Sequence, residues 1–143
     1  MNIFFDTSSL ISLYHQEKEI KNFLDFLADN PGYNVYLSEL TLVESYSAIL
    51  KKVRIQHLTL TEAKKFLSVL DNDFKKFSFI PLDLSVLTSS QQLLVQYGVK
   101  GLRSLDAIQL ASVISIKTNI DMALTGDITF KQILIEEGFN CEF

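Results

Sequence analysis

A chain of 143 residues that is 48% hydrophobic and 21% charged has the length for one core, and its composition excludes a disordered or collagen-like protein. No apolar run nears the ~20 residues needed to cross a bilayer, and no basic stretch with a long apolar core opens the chain, so a cytoplasmic protein is expected. The single cysteine, Cys141, excludes an internal disulfide and a cysteine-built zinc site, and two histidines, His15 and His57, make a histidine metal site a poor expectation.

The net charge of −4 is unevenly spread. Residues 51–76 carry seven basic side chains (Lys51, Lys52, Arg54, Lys64, Lys65, Lys75, Lys76) against three acidic ones (Glu62, Asp71, Asp73). Such a local excess suits phosphate binding even on an acidic protein, and it equally suits two solvated helix faces.

Ile3-Phe4-Phe5 is a short apolar run ending at Asp6, the pattern of a buried strand in a parallel sheet. Thr7-Ser8-Ser9 offers hydroxyl caps for a short helix reaching Leu13. Ile20, Phe23, Leu24 and Leu27 recur at helical spacing until Asn30-Pro31-Gly32. Val35-Tyr36-Leu37 predicts a second strand, followed by a helix over about residues 39–54. Thr59-Leu60-Thr61-Glu62 matches a capping box and opens a helix with the apolar stripe Ala63, Phe66, Leu67, Leu70 and Phe74.

Phe77 to Ile80 predicts a third strand, closed by Pro81. Asp83 is placed to cap the next helix and Gly98 to stop it. Ser104 begins a helix that is apolar over most of its surface and therefore belongs in the interior. Met122 to Thr125 predicts a fourth strand, a helix over about 128–137 follows, and a last short strand is expected near Phe139-Asn140-Cys141. Strands alternating with helices imply one domain over residues 1–143, an α/β sandwich around a mainly parallel sheet, with more helix than average.

Four acids sit in positions that matter for such a fold. Ligands of open α/β sheets bind beyond the carboxyl ends of the strands. Asp6 directly follows the first strand, and Asp127 follows the fourth by two residues; either could instead be a simple helix cap. Glu44 lies mid-helix, one turn from Leu40, Ser47 and Ala48, where a half-buried carboxylate needs a partner unless it faces solvent. Asp106 falls in the first turn of the apolar helix, a position that the helix dipole also favours. Carboxylates ~4 Å apart repel by roughly 4 kcal/mol at an effective dielectric of 20, so a cluster of four requires protons or cations. Oxygen ligands without His or Cys favour Mg²⁺ or Mn²⁺.

At these four positions the chain resembles the PIN-domain family, and within it the VapC-type toxins of toxin–antitoxin pairs. Phe5-Asp6-Thr7-Ser8-Ser9-Leu10 is similar to the family's first motif, and Leu13-Tyr14-His15-Gln16-Glu17 to the segment that often follows it. Leu37 to Ala48 resembles the second motif, its acid falling on Glu44 rather than Glu39. Leu102-Arg103-Ser104-Leu105-Asp106-Ala107-Ile108-Gln109-Leu110-Ala111-Ser112 resembles the third and is the most specific match. Leu124-Thr125-Gly126-Asp127, with Glu137-Gly138-Phe139 beyond it, resembles the fourth. Two departures stand out: Gln109 replaces a histidine that many members carry, a change expected to matter little, and no obvious fifth acid of the motif follows Asp127.

The resemblance implies a three-layer α/β/α sandwich with about four to five strands. It also implies an endoribonuclease that hydrolyses RNA phosphodiesters to 5′-phosphate and 3′-hydroxyl ends with Mg²⁺, or Mn²⁺ in its place. Asp6, Glu44, Asp106 and Asp127 would be the catalytic metal ligands, and Thr7, Ser8 and Thr125 hydroxyls that orient them. It further implies a homodimer and an antitoxin protein as partner. Three alternatives stay open: a housekeeping RNA-processing PIN nuclease, a PIN-like RNA- or protein-binding module without activity, and an unrelated phosphoryl-transfer or receiver domain. The last lacks sequence support, because Ser8 stands where a phosphatase of the haloacid-dehalogenase type has its second aspartate.

Overall fold

The computed structural model describes residues 1–15 and 31–141. Four strands, β1 (Asn2–Phe5), β2 (Asn34–Ser38), β3 (Ser78–Ile80) and β4 (Met122–Leu124), form one sheet in the order β3-β2-β1-β4. Every pairing is parallel, with Phe5 level with Leu124 and Phe4 with Tyr36. The helices are α1 (Thr7–His15), α2 (Leu40–Arg54), α3 (Leu60–Phe74), α4 (Leu84–Tyr97), α5 (Ser104–Ser115) and α6 (Ile128–Glu136). The expected helix around Ile20 to Leu27 lies outside the described residues.

The two-residue period of β1 divides the core into two layers. Ile3 and Phe5 point to one side, where they meet Leu10 and Ile11 of α1, Ile49 of α2, and Ala63, Leu67, Leu70 and Phe74 of α3. Phe4 points to the other, among Val86 and Leu93 of α4, Leu110 and Val113 of α5, and Phe130, Ile133 and Leu134 of α6. Because β1 is covered on both faces its three apolar residues run without a polar interruption, as parallel central strands do. The three-layer sandwich implied by the motifs is the architecture of the chain.

Side chains cap the starts of α1, α3, α4 and α6. The capping box is complete at α3: the Thr59 hydroxyl accepts from the Glu62 amide, and the Glu62 carboxylate accepts from the Thr59 amide at 2.7 Å. Asp83 caps α4 by accepting from the Val86 amide at 2.9 Å. Gly98 caps the end of α4 as expected, in a right-handed conformation, and leads into a single 3₁₀ turn that closes at the left-handed Gly101, φ 105°. Two expectations need correction. The α1 cap is the Asp6 carboxylate, which accepts from the Ser9 amide, and not a hydroxyl of Thr7 to Ser9. Residues 139–141 form no strand; their tie to the sheet edge is the hydrogen bond from the Ala123 amide to the Asn140 carbonyl, so the described sheet has four strands.

Among the described residues no helix is long and apolar enough to cross a membrane. The basic segment falls on the last turn of α2 (Lys51, Lys52, Arg54), where it complements the helix dipole, and on α3 with its following turn.

Candidate active site

The strand order places a crevice between β1 and β4, because the chain leaves β1 toward β2 on one side and returns to it through β4 on the other. Such a switch point is where open parallel sheets present ligands at their carboxyl edge. Asp6 extends β1 past that edge, its amide donating to the Leu124 carbonyl at 3.1 Å, so Thr125, Gly126 and Asp127 leave β4 beside it.

Asp6 is 7% exposed and its carboxylate accepts from three donors. The Ser9 amide donates to Oδ1 at 2.8 Å, the Thr125 hydroxyl to Oδ2 at 2.7 Å, and the Ser8 hydroxyl to the same oxygen at 2.8 Å. Burial pushes the Asp6 carboxyl above the usual carboxylate range, opposed by the hydrogen bonds from Ser9, Thr125 and Ser8 that favour its charged form. The same hydroxyls bind the two loops together. The Gly126 amide donates to Ser8 Oγ at 3.1 Å and the Asp127 amide to Thr125 Oγ1 at 3.0 Å. A Cβ at position 126 would lie 3.3 Å from Ser8 Oγ, a tight contact that Ser8 would have to relax by shifting slightly.

Glu44 reaches the same rim from α2. Its Oε2 accepts from the Thr7 hydroxyl at 2.7 Å and from Gln109 Nε2 at 2.7 Å. Gln109 Nε2 also lies 3.1 Å from Thr7 Oγ1 and 3.2 Å from Thr41 Oγ1. Gln109 belongs to α5, which packs on one face of the sheet, whereas Thr7, Thr41 and Glu44 belong to helices packed on the other. The amide therefore joins the two outer layers over the sheet's carboxyl edge.

Asp106 and Asp127 are held by one cation. Arg103 Nε donates to Asp106 Oδ2 at 3.1 Å, and a second guanidinium nitrogen stands 3.7 Å from Asp127 Oδ2. Asp127 also caps α6, its Oδ1 accepting from the Phe130 amide at 2.8 Å.

The four acids thus stand along one rim, tied through intermediaries: Asp6 to the Asp127 loop through Thr125, Asp127 to Asp106 through Arg103, and Glu44 to Asp6's neighbour Thr7. Thr7, Ser8 and Thr125, expected to orient carboxylates, hydrogen-bond to Glu44 or Asp6. Among the described residues no three carboxylates, imidazoles or thiols are grouped to hold a metal ion together. The donor set itself, carboxylates and hydroxyls without sulfur or imidazole, fits a hard divalent cation. Direct ligation by all four acids would require Arg103 to yield Asp106 and Asp127. Thr41 and Arg103 escaped sequence reasoning, and Gln109 was noted only as the replacement of a histidine. The one available signal was an amide in the middle of an apolar helix.

A parallel α/β sandwich with an acidic rim at its switch point defines a class in which nucleases and phosphoryl-transfer proteins are both found. The sequence pattern of the PIN domain matches residues 3–134, and the chain belongs to that family. Comparison with curated protein sequences finds no match. Solved structures with the same fold include VapC20 of Mycobacterium tuberculosis, described as a sarcin-ricin loop cleaving toxin. It is 18% identical, with 96% of this chain and 95% of that one covered and a TM-score of 0.65. DNA-bound VapBC of Salmonella typhimurium is 15% identical, with 99% and 97% covered and a TM-score of 0.65. VapBC2 of Rickettsia felis, bound to a DNA fragment from its promoter, is 16% identical, with 99% and 98% covered and a TM-score of 0.64.

Proposed function

We propose that this PIN domain is a divalent-metal-dependent endoribonuclease, the toxin of a toxin–antitoxin pair. The observation that carries the reading is the arrangement of Asp6, Glu44, Asp106 and Asp127 along one carboxyl-edge rim, each carboxylate engaged by a hydroxyl, amide or guanidinium donor. The toxin assignment is supported by fold neighbours that include a cleaving toxin and toxin–antitoxin complexes. RNA as substrate, the antitoxin and a homodimer are extensions of that likeness.

Mg²⁺ or Mn²⁺, when bound, supplies Lewis-acid charge to the phosphodiester and lowers the pKa of water. Asp6, Glu44, Asp106 and Asp127 would hold it. Thr125 and Ser8 keep the Asp6 carboxylate oriented, and Thr7 does the same for Glu44. Arg103, released from Asp106 and Asp127, is a cation at the rim able to meet a phosphate oxygen. The excess of basic residues over 51–76 would be the surface offered to the RNA backbone.

The test is cleavage of a labelled single-stranded RNA by purified protein with EDTA, Mg²⁺ or Mn²⁺, beside Glu44→Gln and Asp106→Asn. Metal-dependent cleavage lost in both variants, with unchanged circular dichroism, is expected. Equal cleavage by the variants would point to a contaminating nuclease and remove the assignment. A PIN module without activity is favoured by one observation, the absence of a three-carboxylate group among the described residues. Calorimetry with no Mn²⁺ binding at millimolar concentration would favour that second reading. If a short DNA-binding protein is encoded beside this chain, its co-expression should relieve the growth arrest that a toxin causes.

A further inference from the structure

Gln109 is 3% exposed in a helix whose other buried residues are Ala107, Leu110, Ala111, Ser112 and Val113, and its side chain is unevenly satisfied. Its Nε2 stands within hydrogen-bond reach of Thr7, Thr41 and Glu44, while its buried Oε1 has no partner among the described residues. An amide nitrogen has two hydrogens and cannot serve three acceptors fully. Turning the amide over would offer Oε1 the Thr41 hydroxyl as a donor and remove the orphan, the Thr7 hydroxyl having already given its single hydrogen to Glu44. It would also set a carbonyl oxygen 2.7 Å from the Glu44 carboxylate. The charge on Glu44 therefore dictates the orientation, and the protein tolerates a buried acceptor without a donor to keep it. A residue selected for packing alone would not carry that penalty, since an apolar side chain of the same shape has no buried acceptor to leave unsatisfied.

We infer that Gln109 is a positioning residue of the active site, its amide fixing the Glu44 carboxylate at the rim for ligand binding. This rests on the proposed metal-dependent reading of the same site. Gln109 donates across the sheet edge to Glu44 Oε2, as Thr7 does, so two donors restrict that oxygen. Removing donors of this kind commonly weakens metal binding 10–100-fold.

The experiment uses chelator-treated full-length protein and Mn²⁺ alone, followed by calorimetry or electron paramagnetic resonance, with thermal unfolding measured in parallel. Gln109→Met keeps shape and length but removes both donor and orphan. The expected result is a metal-free Tm equal to or above wild type together with a Kd for Mn²⁺ raised about tenfold or more. Gln109→His, which can return a ring N–H donor, should recover part of the affinity. A purely structural role would give the opposite pattern, a lowered Tm with unchanged Mn²⁺ affinity, and would overturn the inference while wild-type cleavage stands. A wild-type protein that neither binds Mn²⁺ nor cleaves RNA would overturn the functional reading and this inference with it.

Discussion

Arg103 gives the most direct handle on the rim. Its guanidinium lies 3.1 Å from Asp106 Oδ2 and 3.7 Å from Asp127 Oδ2, and the side chain is 76% exposed. Exposed pairs of this kind contribute ~0.2–1 kcal/mol each, because water screens them and the long side chain loses entropy. Two such pairs compete with an incoming cation by about 0.4–2 kcal/mol, and tenfold in affinity corresponds to ~1.4 kcal/mol. Arg103→Ala should therefore tighten Mn²⁺ binding to chelator-treated protein by about 2- to 30-fold. The difference should narrow as KCl rises toward ~1 M, where the screening length falls to ~3 Å. Arg103→Lys, a point charge without the fork, should fall between the two. RNA cleavage at saturating Mn²⁺ should fall rather than rise, since the released guanidinium is no longer available to the substrate. Mn²⁺ affinity that is unchanged or weaker in Arg103→Ala would refute the competition.

Asp6→Asn should abolish cleavage yet stabilise the metal-free protein. Burial raises the folded carboxyl above the unfolded value near 3.8, so the native state binds the proton more tightly and loses stability as pH climbs from about 4 through the raised value. The Tm advantage of the variant over wild type should accordingly grow across that interval, and a flat difference would refute the assignment. Asp83→Ala, which removes the α4 cap far in sequence from the four acids, should cost ~1 kcal/mol in urea unfolding and leave cleavage intact. Cys141 is 8% exposed and its thiol is pushed up by burial, with Lys131 opposing. Iodoacetamide at neutral pH should label it slowly in native protein and quickly in urea, as mass spectrometry will show.

The parts of the fold that were readable are those where local pattern and tertiary demand agree. Thr59 and Glu62 cap α3 because both halves of the box lie within four residues, and the Ala63-Leu67-Leu70-Phe74 stripe is buried because its period matches the helix. The expected fifth strand failed for the converse reason. Phe139 and Cys141 are buried, which gives an alternating pattern, but a ladder requires a partner edge over several residues, and the segment has one such bond to Ala123. Gly98 was readable as the end of α4 because a glycine directly after a helical run is a common stop, although here it does so without positive φ. The carboxylates were legible by their place after strands and within motifs. What surrounds them was not, because Gln109 meets Thr7 across 102 residues and Arg103 reaches Asp127 from a different loop. Such pairings arise only when the sheet brings the loops together.

Asp127 holds its two oxygens to different duties, Oδ1 on the Phe130 amide and Oδ2 toward Arg103. Replacing this residue by alanine would unwind the start of α6 as well as delete an acid, so lost cleavage in that variant confounds helix fraying with chemistry. Asparagine retains the amide's acceptor and separates the two effects. Position 6 calls for the same choice, since its carboxylate also starts a helix. Alanine scanning, the habitual first survey of a nuclease, is here the least informative instrument at the two residues where it would be applied first.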